Sequence, residues 1–398
     1  MALVTSSKEP DSGEANRVAI VVTTIGDGAF VPEMRPLFEA AGGRLMLIVI
    51  GDRKTPAGCG AAVARLSADG HDATWMDEAA QREWLAHVPD FASHIPWNSD
   101  NRRNVGVLEA WRRGVDVVVC LDDDNLPIDA VDFVARYSRV GGIASAPEIH
   151  TGNRWVNVCE LIECRSGYDD APVSVFARGY PFARRGPERL SISPAPIDAR
   201  IALHLGLWLG EPDVDAATRA SVAPRAVAAR VDSPVVLPAN ALAPFSTQNL
   251  AAARRLVPAW WFVRMGAGCP GLRMDRFGDM FQGYFAAMAI AAMGERIAVG
   301  PPLVAHGRNV HALGQDLAVE LPGMVLLDSM LPFLETPISR ADSYADAYLS
   351  IASGLTDWAR AANAPLWQAS LPAWADATAE SMRAWVDACR LLDPAPID

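Results

Sequence analysis

Val117-Val118-Val119-Cys120-Leu121-Asp122-Asp123-Asp124-Asn125, written VVVCLDDDN, decides how the rest of the chain is read. A run of valines favours a buried, pleated strand, and here the run stops in three consecutive acids. Adjacent carboxylates repel one another, and a half-buried one is costly without a neutralising partner. The stretch therefore predicts a buried strand whose carboxyl end carries a site, and it raises the question of what partners the acids. A solvated turn is the other reading, since Asp and Asn followed by Pro favour turns.

Working outward, Arg17 to Thr24 (RVAIVVTT) reads as a second buried strand, and Leu45 to Ile50 as a third that ends at Gly51-Asp52. Helices are expected over Pro32 to Ala41, Ala80 to Val88, Asn101 to Arg113 and Ile128 to about Val140. In Asn101 to Arg113, Val105, Leu108 and Trp111 share one face; Arg102 and Arg103 could add local positive charge, but a solvated helix face is the favoured reading for them. Strands alternating with helices imply an α/β fold with a mostly parallel sheet flanked by helices. In such sheets ligands sit at the carboxyl ends of the strands, where Asp52 and the Asp122–Asp124 triplet both fall. The segment from about Ile149 to Arg230 reads as irregular. A long apolar helix is expected from Arg276 to Met293, and helices again after Pro337, with Trp358, Trp367, Trp374 and Trp385 spread along them. The domain reading is a flexible stretch over 1–16, a catalytic domain over 17–335 and a C-terminal helical appendage over 336–398. The tryptophan-bearing tail would also suit a homo-oligomer contact.

Composition sets outer limits. With 398 residues, 51% of them hydrophobic, the chain can bury a large core with one appended unit. The first sixteen residues lack the apolar stretch of a signal peptide, and Phe285 to Met293, the longest candidate span, is too short for a bilayer, so no membrane is expected. Six scattered cysteines without a Cys-x-x-Cys pair favour reduced thiols in a cytoplasmic protein over disulfides or zinc. A formal charge of −12 with no long basic run argues against a nucleic-acid partner. An anionic small molecule would need positive charge supplied locally.

A hard divalent cation, Mg²⁺ or Mn²⁺, is the site reading of the triplet, held by one or two carboxylates and by substrate phosphates. Strand alternation lets Asp122 and Asp124 point one way and Asp123 the other. Further motifs lie downstream. Arg178-Gly179-Tyr180-Pro181-Phe182 with Arg184 and Arg185 gives RGYPFARR, and Gly206 to Leu209 gives GLWL, followed by Glu211-Pro212-Asp213-Val214-Asp215-Ala216. Asn249-Leu250 follows, and Arg276 to Gly283 reads RFGDMFQG. Together these resemble the reversibly glycosylated polypeptides, which include the UDP-arabinopyranose mutases, collinearly from about Arg17 to about His311. RGYPF with GLWL is specific; DDD is not.

The resemblance implies a glycosyltransferase-A-like fold. It makes Asp122, Asp124 and His306 the metal ligands, Mn²⁺ or Mg²⁺ the cofactor, and Asp52, Asp123, Trp208, Asp213, Asp215 and Asn249 the substrate-binding residues. It implies catalytic roles for Arg178, Arg185 and Asp279. An arginine nucleophile is costly: reaching the neutral form at pH 7 takes at least ~7 kcal/mol. Arg178 holding the departing diphosphate as a planar fork is the cheaper role. The family's RYDDM becomes RFGDM here, so Gly278 replaces an acid, Asp279 stands alone, and Asp275 competes for the missing carboxylate. The histidine before GLWL, His204, is displaced by one residue.

The implied function is a mutase interconverting pyranose and furanose forms of a nucleotide sugar. A glycosyltransferase with an external acceptor is the alternative, and a non-catalytic nucleotide-sugar-binding partner protein the third reading. The substrate is UDP- or GDP-linked. Ala-, Arg- and Pro-rich usage suggests a GC-rich bacterial source, in which a GDP-linked hexose for secondary metabolism stands beside UDP.

Overall fold

The computed structural model describes residues 16–393 apart from 188, 267, 270 and 308–311. The N-terminal stretch expected to be flexible, Asn16 apart, lies outside the described residues, as does His311. Four strands make the parallel part of the main sheet: β1 (Val18–Thr23), β2 (Leu45–Ile50), β3 (Asp72–Met76) and β4 (Val117–Asp122), in the order β3-β2-β1-β4. All of β2, and all but the last residue of β1 and β4, are buried. A parallel sheet covered on both faces needs no apolar–polar alternation, which is why these strands read as continuous apolar runs. Their register sets Thr23 beside both Ile50 and Asp122, so the strand ends gather at one edge.

Beyond β4 the sheet changes character. β5 (Ser191–Gly210) and β7 (Arg296–His306) are parallel to each other, whereas β6 (Asn249–Ala253) runs antiparallel between β4 and β5. The fold is thus α/β, as expected, but the sheet is mixed rather than mostly parallel. Parallel pairs need crossover connections, and helices supply them between successive strands of the first four, whereas β6 enters antiparallel between β4 and β5. β5 runs through the segment read as irregular. Its first half, SISPAPID, is mostly exposed and rich in Ser and Pro, so it carries no hydrophobic signature, while its second half is buried.

Helix α1 (Arg103–Arg112) lies under β1 and β2 and buries Val105, Leu108 and Trp111 as predicted. Arg102 and Arg103, read as solvated, are buried too, at 1% and 4% exposure. Helix α2 (Gly278–Met293) is the apolar core helix expected near there. Helix α3 (Leu313–Leu334) is longer than any apolar span found in the sequence; by length and hydropathy it could cross a bilayer, and half of its most apolar window is buried inside the protein. Its buried Glu320 pairs with Arg276 at 2.8 Å and accepts from the Ala216 amide at 2.8 Å, tying the helix into the fold.

The C-terminal helices α4 (Tyr344–Ala361) and α5 (Leu371–Leu392) are present, but they do not form a separate appendage. Trp367, Trp374 and Trp385 are buried in the common core. The Trp385 indole donates to the Val257 carbonyl at 2.8 Å, and the Trp111 indole to that of Cys389 at 2.9 Å. Both helices are amphipathic, and their apolar faces close over α2 and the 254–259 turn.

Candidate functional site

Each acid of the triplet has its own partner. Asp122, the last residue of β4, pairs with Arg103, whose guanidinium also donates to Thr23 Oγ1 at 3.0 Å and to the Thr247 carbonyl at 2.6 Å. Asp123 accepts from Thr24 Oγ1 at 2.5 Å. Asp124 faces His306, with Oδ2 3.7 Å from Nε2, and accepts from the Asn125 amide at 2.9 Å. Register produces the last contact. β7 ends beside the short strand Asn125–Pro127, with His306 opposite Asn125, and the Gly307 amide donates to the Asp124 carbonyl at 3.0 Å.

The charges are uneven across the triplet. Burial raises the Asp122 carboxyl, and although Arg103 pulls it down, Asp124 and Asp279 add to the rise, leaving it above the ordinary value. Burial, with Asp124 and Asp122, also leaves Asp123 raised despite its bond to Thr24. Asp124 is the exception. Burial works against its charge, yet His306 and Asn125 hold it below the ordinary value. Burial lowers the His306 imidazole, but Asp124 and the Glu211 carbonyl more than compensate, so it lies raised. A carbonyl can only accept, so the 2.5 Å contact to Glu211 puts a proton on Nδ1 and fixes the ring.

These positions test the expected metal. With Nδ1 bound to a carbonyl, a neutral His306 turns the lone pair of Nε2 towards Asp124, the donor set a divalent cation takes. Asp122, expected as a third ligand, instead gives one oxygen to Arg103, and among the described residues no three His, Cys, Asp or Glu side chains form a ready cage. Two protein ligands suit Mg²⁺ or Mn²⁺, which keep waters and substrate phosphates for their other positions. Asp124 and His306 therefore fit such an ion.

A cleft of about 260 Å³ lies beside the triplet, with Asp52, Asp123, Thr24, Lys54 and Arg102 in its wall. Asp52 Oδ2 accepts from the Ser99 amide at 3.0 Å, holding the 98–100 loop over the cleft. Asp52 and Asp123, both predicted, thus meet in one place. The same loop residues Asn98, Ser99 and Asp100 also line a larger cavity of about 1190 Å³. Asp100 sits at that junction, open to solvent but ringed by protein. Desolvation and the nearby Asp275 and Asp279 push its carboxyl up to about 6.

The other predicted residues lie elsewhere. Arg178 is 4% exposed and gripped by two carboxylates. Nε and Nη2 donate to Asp213 at 2.8 and 3.1 Å; Nη1 and Nη2 donate to Asp279 at 3.1 and 2.7 Å; Nη1 also donates to the Arg276 carbonyl. All five N–H groups of the guanidinium are spent. Burial lowers its pKa, but Asp213 and Asp279 raise it well above the ordinary value. Neither a neutral nucleophile nor a free phosphate fork is available, and Arg178 and Asp279 form a closed ionic cluster. Asp213, lowered by Arg178 against the effect of burial, is its third member.

Arg185 is also diverted. It pairs with Asp215 at 2.6 Å and lies 3.7 Å above the Phe182 ring. Asp215 caps the helix Ala216–Val222 by accepting from the Thr218 amide at 2.8 Å. Asn249 is saturated as well: its amide donates to the Leu207 and Pro302 carbonyls at 3.1 Å each, and its oxygen accepts from Tyr137 at 2.6 Å. Trp208 is buried beside it. A Cβ at Gly206 would collide with Asn249 and Tyr137, so GLWL and Asn249 form one packing unit. At Gly278 a Cβ would come within 2.5 Å of Phe262 and of the Val263 carbonyl oxygen, which explains why no acid stands there. Of the competing carboxylates, Asp275 lines the large cavity and Asp279 does not.

Sequence reasoning missed Thr24, Asp100 and the role of Arg103. Thr24 could have been found, since it follows the end of β1 as Asp123 follows β4. Arg103 was hidden by its place among polar neighbours in NRRN. Asp100 belongs to a loop with no periodic signal.

Comparison with known proteins places the chain. The sequence pattern of the reversibly glycosylated polypeptides matches residues 167–394. A probable UDP-arabinopyranose mutase 4 of Arabidopsis thaliana is 31% identical over 223 residues, covering 55% of this chain and 54% of that protein. UDP-arabinopyranose mutase 1 of Oryza sativa subsp. japonica is 32% identical over 181 residues, 44% of this chain and 45% of that protein. The chain thus spans about half the length of the curated relatives it matches. Among solved structures, a mannosyltransferase from Pyrobaculum calidifontis in complex with GDP-Man and Mn²⁺ superposes over 96% of this chain and 88% of that one, at 13% identity and a TM-score of 0.37. Glucosyl-3-phosphoglycerate synthase from Mycobacterium tuberculosis, in complex with Mn²⁺, UDP and phosphoglyceric acid, covers 81% of this chain and 80% of that one, at 14% identity and 0.39. Both scores lie below 0.5, so neither likeness bears on the site. The family pattern spans more than half of the chain, and this chain belongs to the reversibly glycosylated polypeptide family.

Proposed function

We propose that this chain is a nucleotide-sugar mutase that interconverts the pyranose and furanose forms of a UDP- or GDP-linked sugar with Mn²⁺ or Mg²⁺. The observation that carries the reading is the Asp124–His306 pair, set beside the Asp52–Asp123 cleft at the carboxyl ends of parallel strands. Family membership and relatives named as mutases support it. The nucleotide would lie in the cleft, with Lys54 in its wall offering positive charge to an anionic ligand and Arg102, buried and bonded to Gln81 and the Ile95 carbonyl, lending its charge from behind the wall.

Asp124 and His306 would hold the cation, which when bound neutralises charge on the diphosphate. Arg103 keeps Asp122 from adding a further free negative charge beside that diphosphate. Asp123, fixed by Thr24, holds the cleft wall. The bond between the anomeric carbon and the diphosphate oxygen breaks, the 4-hydroxyl oxygen bonds to that carbon as it loses its proton, the bond from that carbon to the ring oxygen breaks as the ring oxygen takes a proton, and the diphosphate oxygen bonds to the carbon again. Asp100 and Asp275 are the carboxyl groups placed to hold or accept the hydroxyl proton. The five described free cysteines are all buried, which supports a reducing, cytoplasmic setting.

The test is chromatography of the full chain incubated with UDP- and GDP-pyranoses and Mn²⁺. A new isomer of unchanged mass, lost with chelator, is expected. Nucleotide-sugar binding that ignores chelator, or free nucleotide without an isomer, would sink the mutase reading.

A further inference from the structure

The large cavity holds more than one sugar ring requires. Pockets for drug-sized ligands run to roughly 300–1,000 Å³, whereas this chamber measures about 1190 Å³ and is distinct from the nucleotide cleft. Its wall carries the carboxylates of Asp100, Asp275, Asp316 and Glu380. Facing them are Arg264 and Arg273, whose guanidinium groups make no hydrogen bond or ion pair among the described residues. A third guanidinium, Arg276, is committed to Glu320. Acids therefore offset the free cations, which disfavours a multiply charged anion. Donors and acceptors facing one volume suit hydroxyl groups, each of which both donates and accepts. The indole N–H groups of Trp261 and Trp374, two buried residues of the same wall, have no acceptor among the described residues.

We propose that this chamber binds a neutral polyhydroxylated acceptor, a sugar or oligosaccharide, to which the chain transfers the glycosyl group of the nucleotide sugar held in the adjoining cleft. The inference rests on the nucleotide-sugar reading above and adds a second substrate to it. Asn98, Ser99 and Asp100 are the shared wall, so the anomeric carbon of a sugar reaching past them meets the acceptor there. The bond from the acceptor oxygen to the anomeric carbon forms as the bond from that carbon to the diphosphate oxygen breaks. The diphosphate leaves with the electron pair, and Asp100 accepts the hydroxyl proton. Isomerisation and transfer share the first bond cleavage and differ in which hydroxyl attacks.

Ala377 lines the chamber from α5 and is exposed, so tryptophan there fills the chamber without entering the core. The full chain with Mn²⁺ and the nucleotide-pyranose panel is mixed with maltotriose, cellotriose and arabinotriose, and the products are weighed by mass spectrometry. The expected result is a trisaccharide heavier by one glycosyl unit, with equal free nucleoside diphosphate. That product should fall at least tenfold in Ala377→Trp and in Asp100→Asn, while calorimetric binding of the nucleotide sugar to Ala377→Trp stays unchanged. Metal-dependent nucleotide-sugar binding with no heavier trisaccharide would overturn the acceptor and leave the mutase reading standing. Transfer by Ala377→Trp at the parent rate would overturn the chamber's role. A chain that binds no nucleotide sugar fails at the earlier step, and the calorimetry separates that case.

Discussion

Two ionic assemblies in this protein use the same residue types to opposite ends. Around Arg178, two buried carboxylates and a carbonyl consume every N–H of the guanidinium, and nothing is left for a ligand. Around Asp124, the partners are fewer and looser: a histidine nitrogen at 3.7 Å and one amide. The closed assembly comes from the specific motifs RGYPF and RFGDM, the open one from the unspecific DDD. Specific motifs here record packing and charge satisfaction, which constrain many atoms at once. Under the proposed function chemistry would sit where satisfaction is incomplete, and that needs only a short, common pattern.

The sharpest way to break this contrast is Arg178→Met. Removing one partner of a buried ion cluster strands the others, so a loss of about 3–5 kcal/mol in stability is expected in urea or thermal unfolding. Adding Asp213→Asn and Asp279→Asn to it should recover much of the loss, because no unpaired charge then remains. A stable Arg178→Met chain that fails only to bind nucleotide sugar would show that the closed assembly is a ligand site after all.

Asp124→Asn tests the open assembly. It should cut isomer formation by roughly 10²–10³-fold with an unfolding midpoint close to the parent's, since the residue has one neutral partner and one histidine. A loss of stability like that of Arg178→Met, with activity kept per folded molecule, would erase the distinction between the two.

How far these assemblies could be read beforehand follows from their physics. β1, β2 and β4 were legible because continuous valine and isoleucine runs have one stable use in a parallel sheet. Asp52, Asp123 and Asp124 were legible because strand ends put them at one edge, whereas His306 was legible only through the family resemblance. Arg178 was legible as important but not as closed, since its partners stand 35 and 101 residues away in sequence. Arg103 was read as solvated because helix periodicity reports apolar faces and is blind to a buried guanidinium. β5 stayed hidden because its exposed Ser- and Pro-rich half carries no alternation. The place of α4 and α5 in the common core was invisible, because amphipathic helices look alike whether they close over their own chain or over another.

Gly278→Ala sharpens the comparison at the point where the chain departs from its family's RYDDM. A methyl group 2.5 Å from Phe262 and from the Val263 carbonyl oxygen overpacks the start of α2, and a cost of about 1–3 kcal/mol is expected in unfolding. Because α2 also carries Asp279, nucleotide-sugar turnover should fall with stability and not ahead of it. An unchanged midpoint would mean that Phe262 yields, and that the missing acid has a cause other than space.

The smallest effect belongs to a closed assembly remote from both chambers. Glu109 lies two turns along α1 from Arg103, accepts from the Trp84 indole at 2.7 Å and pairs with Arg112 and Arg113 at 2.8 and 2.6 Å. Burial pushes its carboxyl up, yet Arg112, Arg113 and Trp84 together hold it below its ordinary value. A folded-state pKa below the unfolded one means that the folded state binds the proton later as pH falls. The stabilisation is therefore complete above the unfolded carboxyl value of about 4.5 and fades as pH drops through the lower folded value. Unfolding of the parent and of Glu109→Gln, compared from pH 7 to pH 3, should show a gap that is constant down to about pH 5 and then narrows. Turnover at pH 7 should not move, because α1 meets the cleft only at its Arg103 end. A gap that widens on acidification would reverse the sign and show that Glu109 is held protonated, leaving charge closure in doubt as the rule that separates the quiet parts of this fold from its reactive edge.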